Sequence, residues 1–480
     1  MYSWGVDRIS EAIRPLAERL RIESRNREYA AHRWSGDEGG LPVLYLEDVS
    51  AIPFVSVVPG VEEYQHRARV RAGDGDLFVA VTPPSEGYEA YCRDRLGLGS
   101  PEFVLAAGDD HAYAVARACA RDPALSHIVE RTRQAGGLVI HPYMGIQEVW
   151  ELAGLVAERT GLPVQVIGPP PPVLWLANDK QRFTELVSRV LSPQWVVETH
   201  AANDPAEMAR HLVRLADHHR RGGLKRTRCA SAMGNAVYDL EAIARLDPDE
   251  ILDEVRHFLE RTEWALDEEV LIVAWEQTDD SPSTQLWIPP PEVGPPVVGG
   301  VYEQLLEGDE KIFLGSRPSR LPDAINETLT RSSIEVGIAL QSLGYVGRCS
   351  FDFIVVEDAG ETPQVKFVEC NGRWGGTSTP MRLVDRVVEG SRPPYRAQDY
   401  MHHDLVGVGF PEILRRIGDE LYDPATGHGR YILYNVGPLK RNGKLDVIAL
   451  GRTPDEAERS LSEDLPRRLG VDRDAPSPGS

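Results

Sequence analysis

Short apolar runs alternate with amphipathic stretches over the first 170 residues. The runs at 43–47, 54–58, 77–81, 103–107, 137–141 and 163–167 read as strands. The stretches 86–96, 110–120 and 146–159 read as helices. Strands alternating with helices predict a parallel, Rossmann-like α/β layer. No G-x-G-x-x-G follows the first strand, so a dinucleotide site is not supported. The run GPPPP at 168–172 then punctuates the chain and sets a boundary.

A second unit follows. Residues 173–178 are expected as a short strand leading into a helix, and 195–199 as another strand. Two helices have clear starts. Asp204 precedes Pro205, and Asp247 precedes Pro248 with Glu250 completing a capping box. Strands are expected at 271–275 and 284–289, with a long helix near 322–343 and a helix after Thr379. The end of the chain shows helices near 411–420 and 454–463 around strands at 430–435 and 445–450. The last residues are expected to be loose.

The most informative stretch runs from Ser350 to Gly376, where two apolar runs flank a turn-rich centre, the pattern of a β-hairpin. Alternation puts Ser350, Asp352, Ile354 and Val356 on one face of the first strand. It puts Val365, Phe367, Glu369, Asn371 and Arg373 on one face of the second. A carboxylate that continues an apolar face is costly unless it is paired or binds a metal. Two carboxylates and an amide oxygen are hard ligands of the kind Mg²⁺ takes beside substrate phosphates. The same residues also fit a structural strand in which Arg373 pairs with one carboxylate.

Composition narrows the function. With 480 residues and 42% apolar content, the chain has material for two to four packed units. No run approaches the length of a membrane span, and the charged N-terminal stretch does not read as a secretory signal. Five scattered cysteines without a C-x-x-C pair fit reduced thiols and a cytoplasmic location. A net charge of −22 argues against nucleic acid and anionic lipid as partners and is compatible with a cationic substrate. Only six lysines stand against 46 arginines. A lysine that persists in such a chain marks a place where a compact ammonium is needed.

Two of those lysines matter. Lys225 lies in a basic run, Arg220 to Arg228, followed by a small-residue loop with Ser231 and Gly234. Backbone N–H groups of such a loop, and the ammonium, can approach phosphates closely. Lys180, in ANDKQRF, opens a helix. The order Lys180, Lys225, Asp352, then Glu369-x-Asn371-x-Arg373, resembles that of the ATP-grasp ligases. The resemblance covers nearly the whole chain, although the loop after Lys225 holds one glycine where the family is usually richer. It implies an α/β ATP-grasp fold in three parts: a Rossmann-like pre-ATP-grasp domain (1–172), an ATP-grasp domain whose two lobes clasp ATP (173–395), and a small C-terminal α/β unit (396–480).

The resemblance also implies roles. Asp352, Glu369 and Asn371 hold Mg²⁺, and Lys180, Lys225, Ser231 and Gly234 hold ATP. Glu276, at the end of an apolar strand, takes the ribose, with Asp279 and Asp280 as rivals. Arg373 stabilises an oxyanion, and Arg348 faces the acyl-phosphate oxygen. The segments NDK, DDSPSTQLWIPP, ECNGRWGGTSTP and GKLDVIAL look like those of the pheganomycin-type ATP-grasp peptide ligases. Such enzymes join a guanidino-type amino-acid carboxylate to the N-terminal amine of a peptide in antibiotic biosynthesis. The expected partners are thus a carboxylate substrate and a peptide or amine acceptor, and the oligomeric state is left open, with a homodimer as one option. A ligase for single amino acids or small amines, an ATP-grasp kinase and a degenerate ATP-binding module remain as alternatives.

Overall fold

The computed structural model describes residues 2–53, 55–107, 113–228, 234–265, 268–276, 278, 280–307, 312–356 and 363–472. The N-terminal part carries a parallel sheet of β1 (Val43–Leu46), β2 (Leu77–Ala80), β3 (Glu102–Leu105), β4 (Leu138–Pro142) and β5 (Val164–Val166), in the order β3-β2-β1-β4-β5. β2 and β4 are short and buried on both faces, as continuous apolar runs require. The expected strand at 54–58 does not form: Val55–Val57 is a 3-10 turn between Pro53 and Pro59, whose rings deny a ladder its donors.

The middle of the chain builds a small antiparallel sheet of β6 (Thr199–Ala202), β7 (Arg221–Arg226), β8 (Asn235–Asp239) and β9 (Val270–Ala274), in the order β6-β9-β7-β8. Helices Pro205–Leu215 and Pro248–Arg261 cover one face with Met208, Leu212, Val255 and Phe258. Both begin as expected: Asp204 accepts from the Glu207 N–H at 2.9 Å, and Asp247 closes a capping box with Glu250. Two expectations fail here. Residues 173–178 are helical, within Pro171–Asn178, because Pro171 pre-sets a first helical turn. The strand expected at 195–199 begins only at Thr199, after a 3-10 turn at Pro193–Trp195.

The largest sheet is antiparallel. It comprises β10 (Pro282–Ile288), β11 (Val297–Glu307), β12 (Ile312–Pro318), β13 (Gly347–Val356), β14 (Gln364–Asn371), β15 (Tyr395–Met401), β16 (Tyr431–Tyr434) and β17 (Lys444–Leu450). Their order is β14-β13-β10-β11-β12-β15-β17-β16. The sheet therefore runs unbroken through the boundary expected at residue 395. Helices Asp323–Ser342 and Lys180–Val190 pack on one face around Phe183, Phe351, Phe353 and Phe367. The Phe353 and Phe367 rings are 4.3 Å apart, and burying each ring contributes on the order of 1.5–3 kcal/mol.

Candidate active site

The register of the β13–β14 hairpin decides which residues meet. Ser350 faces Asn371 and Asp352 faces Glu369, but Phe353 faces Phe367. Val368 is thus an extra residue, a β-bulge, and it reverses the alternation of the strand. Val365 and Phe367 point into the core, whereas Glu369 and Asn371 join Ser350 and Asp352 on the opposite face. Simple alternation, which placed Val365, Phe367, Glu369 and Asn371 together, is corrected by that one residue.

On this face Asp352 accepts hydrogen bonds from Ser283 Oγ at 2.8 Å and from Asn371 Nδ2 at 2.9 Å. Asn371 keeps its carbonyl oxygen free of hydrogen bonds among the described residues. Lys180, the first residue of its helix, places Nζ 3.1 Å from Glu369 Oε2. Its helix is capped by Asp179, and its own N–H donates to the Thr227 carbonyl at 3.0 Å. Lys225 approaches from β7, where alternation places it with Gly223. A side chain at Gly223 would meet the Trp275 ring at 2.7 Å, so the glycine lets the indole lie against the strand. Lys225 Nζ is 4.5 Å from that ring's centroid.

The charges do not balance by themselves. Burial raises the Glu369 carboxyl, but Lys180 and Lys225 outweigh it and hold the group below the usual range. Burial and the like charge of Glu369 push Asp352 up to about 7. Burial lowers Lys225 to about 8, against the pull of Glu369. One carboxylate is neutralised by lysines, and the other is poised between its two forms. Two carboxylates and an uncommitted amide oxygen facing the same space fit a hard divalent cation such as Mg²⁺.

The remaining expected residues fall into groups. Glu276 follows β9, and its Oε1 lies 3.5 Å from Nζ of Lys366, which shares the face of Ile354. Asp280 engages β13 through its backbone, with the Val355 N–H donating to its carbonyl at 3.1 Å. Gly234 sits at the base of the β7–β8 loop, its carbonyl accepting from the Arg226 N–H at 2.9 Å. Ser231 and Asp279 lie outside the described residues. Arg373 donates at 3.2 Å to the Tyr143 hydroxyl and to the Trp374 carbonyl, rather than to either carboxylate. Asn178 accepts from the Gly372 N–H at 3.0 Å, at a position where a Cβ would come within 2.7 Å of its amide. Arg348 is not brought to Asp352, Glu369 and Asn371. It stands opposite Trp287, four residues and about 13 Å along the strand from Asp352.

The histidines stay structural. His141 accepts from the Trp374 indole at 3.3 Å, and burial with Arg71, Arg348 and Arg382 nearby holds it neutral. Ligand atoms of His402, His403 and Asp404 lie within 4.8 Å of one another, but His402 Nδ1 already accepts from the Asp404 N–H. Sequence reasoning missed Ser283, Lys366 and Tyr143, which carry no local signal. It also missed Trp275 as a platform, although the Gly222-Gly223 pair inside a strand is a cue to close approach.

A sequence profile of the pre-ATP-grasp domain matches residues 65–162. N5-carboxyaminoimidazole synthetase from Staphylococcus aureus, solved with ADP, aligns over 90% of this chain and 99% of its own at 11% identity, with a TM-score of 0.52. The chain has an ATP-grasp fold. N5-carboxyaminoimidazole ribonucleotide synthetase from Thermus thermophilus aligns over 91% of this chain and all of its own, at 16% identity and a TM-score of 0.50. The biotin carboxylase domain of Hydrogenobacter thermophilus 2-oxoglutarate carboxylase, solved with MgADP, ADP and bicarbonate, aligns over 88% of each chain at 13% identity and a TM-score of 0.51. At these identities the likeness is one of fold. No curated protein matches the chain in sequence. Among the described residues, no helix is long and apolar enough to cross a membrane.

Proposed function

We propose that the protein is an ADP-forming carboxylate–amine ligase that uses ATP and Mg²⁺. The observation that carries the reading is the meeting of Asp352, Glu369 and Asn371 with Lys180 and Lys225 at the β13–β14 hairpin. Similar folds solved with ADP and with MgADP support it.

Asp352, Glu369 and Asn371 would hold Mg²⁺, which supplies charge neutralisation at the β- and γ-phosphates when bound. Lys180 and Lys225 hold the nucleotide phosphates, and Glu276 orients the ribose. The donor carboxylate attacks the γ-phosphorus of ATP, giving an acyl phosphate and ADP. The amine then attacks the acyl carbon. The carbonyl oxygen takes the developing negative charge and phosphate departs as the carbonyl re-forms. Arg373, fixed by Tyr143 and Trp374, stabilises that oxyanion. The finer reading is that the acceptor is the N-terminal amine of a peptide and the product a natural-product peptide. The resemblance of NDK and ECNGRWGGTSTP to peptide ligases supports it.

The test is a screen of carboxylates against amines and short peptides, reading ADP release and product mass. ADP and phosphate are expected, and only with both substrates present. AMP and pyrophosphate as products, or full ATPase activity without a carboxylate, would overturn the ligase reading. Products formed only with single amino acids would overturn the peptide acceptor.

A further inference from the structure

Around the Trp374 ring lies a group of arginines that the chemistry above does not use. They gather at the carboxyl ends of β1 and β4. The strand order reverses between these two strands, which is where open α/β sheets bind ligands. The Arg348 guanidinium lies 5.3 Å from the Trp374 ring centroid and 5.5 Å from that of Trp287, and Arg71 lies 4.8 Å from the same Trp374 ring. Arg382 and Arg386 enter from the helix Ser378–Val387, and Arg392 follows it.

Most of these charges are accounted for. Arg71 shares Glu47 with Arg67, at 3.5 and 2.5 Å. Arg386 donates to the carbonyls of Val70 at 2.6 Å and Ala72 at 3.0 Å. Arg392 forks onto Asp385, with one bond of 2.8 Å, and donates to the Gly299 carbonyl at 2.5 Å. The remaining nearby carboxylate, Asp76, accepts from the backbone N–H groups of Val43 and Gly73. Arg348 and Arg382 have neither a side-chain hydrogen bond nor an ion pair among the described residues, and the Arg348 Nε is buried without a partner. Burial, with Arg382 and Arg392 against it, lowers Arg348 to about 10. An arginine so placed lacks an anion.

That anion is not the reacting carboxylate, which must lie at the phosphates beside Asp352, about 13 Å along the strand from Arg348. Arg373 donates to the Trp374 carbonyl, whereas the Arg348 guanidinium lies against the Trp374 ring. We infer that the acyl substrate carries a second anionic group, carboxylate or phosphate, held by Arg348 and Arg382 beside the partly buried Trp287. This rests on the ligase reading. It also reverses, for this end of the site, the preference for cations suggested by the net charge of −22.

The test is calorimetric binding to the full chain without nucleotide, using isophthalate, phenyl phosphate, benzoate and benzylamine. The two dianions are expected to bind more tightly than benzoate, and benzylamine not at all. Arg382→Ala, at an exposed position that tolerates truncation, and Arg348→Lys, which keeps the charge but loses the fork, should each weaken dianion binding at least tenfold. The ratio of isophthalate to phenyl phosphate affinity tells carboxylate from phosphate. Unchanged dianion affinity in the double variant, benzylamine binding more tightly than the dianions, or no dianion binding to the wild type at millimolar concentration overturns the inference. Because this readout needs no turnover, failure of every carboxylate to release ADP would sink the ligase reading separately.

Discussion

Asp352→Asn isolates the electrostatics of the site. In the metal-free protein, burial and Glu369 raise the Asp352 carboxyl from 3.8 to about 7. A carboxyl raised on folding favours the protonated form, so its cost to stability is absent below pH 3.8, grows through the window up to 7, and is constant above it. At about 1.36 kcal/mol per unit, the full cost is about 4 kcal/mol at pH 8 and about 1.5 kcal/mol at pH 5. The variant carries none of it, apart from about 1 kcal/mol for re-satisfying Ser283 and Asn371 with one acceptor oxygen fewer. The assay is urea unfolding of both proteins in EDTA at pH 5 and pH 8. The wild type should lose about 2.5 kcal/mol relative to the variant between these values. Buried acids elsewhere, such as Asp48 and Asp446, titrate equally in both and cancel. Adding Mg²⁺ with a non-hydrolysable ATP analogue at pH 8 should stabilise the wild type and leave the variant unchanged. If the two proteins follow the same pH profile in EDTA, Asp352 is not an unrelieved buried acid, and the electrostatic case for a cation there fails.

Glu369→Gln should lower turnover at least about 100-fold while keeping an acceptor for Lys180. Glu369→Ala, by removing the carboxylate 3.1 Å from the buried Lys180 ammonium, should also cost about 3–5 kcal/mol in unfolding experiments. Lys225→Arg should lose most kcat/KM, because a planar fork does not replace a compact ammonium over Trp275 and among phosphates. Lys225 sits at about 8 in the free protein, and a bound phosphate raises it. Nucleotide binding at pH 9 should therefore take up protons, read from the buffer dependence of the calorimetric enthalpy, and Lys225→Arg should abolish that uptake. Trp275→Ala should weaken nucleotide binding by about 0.5–2 kcal/mol in direct titration.

Much of the fold was legible because the signals were local. Asp204 and Asp247 announce their helices, and every strand of the parallel layer appears as an apolar run, although the run at 54–58 forms no strand. β11, β12 and β15 escaped notice, since VVGGVYEQLLE, IFLGSRP and YRAQDYM mix polar and apolar residues in no clear period and owe their state to neighbouring strands. In the site, Asp352, Glu369, Asn371, Lys180 and Lys225 were named from the chain, but their common face was argued from an alternation that Val368 breaks. A bulge is a choice of register between two strands, and one strand's pattern does not carry it. Arg382 was invisible for a related reason: among 46 arginines, only the fold tells which ones lack an anion.

The unbroken eight-stranded sheet bears on where this protein can be cut. A chain ending before Tyr395 would not lose a separable unit. It would lose β15, β16 and β17 and leave the β12 edge, paired at Gly315 and Ser316 with Gln398 and Ala397, as an open template for other chains. Tyr302, Met381, Leu383 and Val384 share a core with Tyr431, Leu433, Val447 and Leu465, so the same cut would bare the apolar surface of that core. Arg317 and Arg396, which converge on Glu458, would part with their common anion. The smallest heritable piece of this fold therefore reaches at least to Val471, and a premature stop codon anywhere in the last strands should behave as a null allele through aggregation rather than as a working protein missing an accessory part.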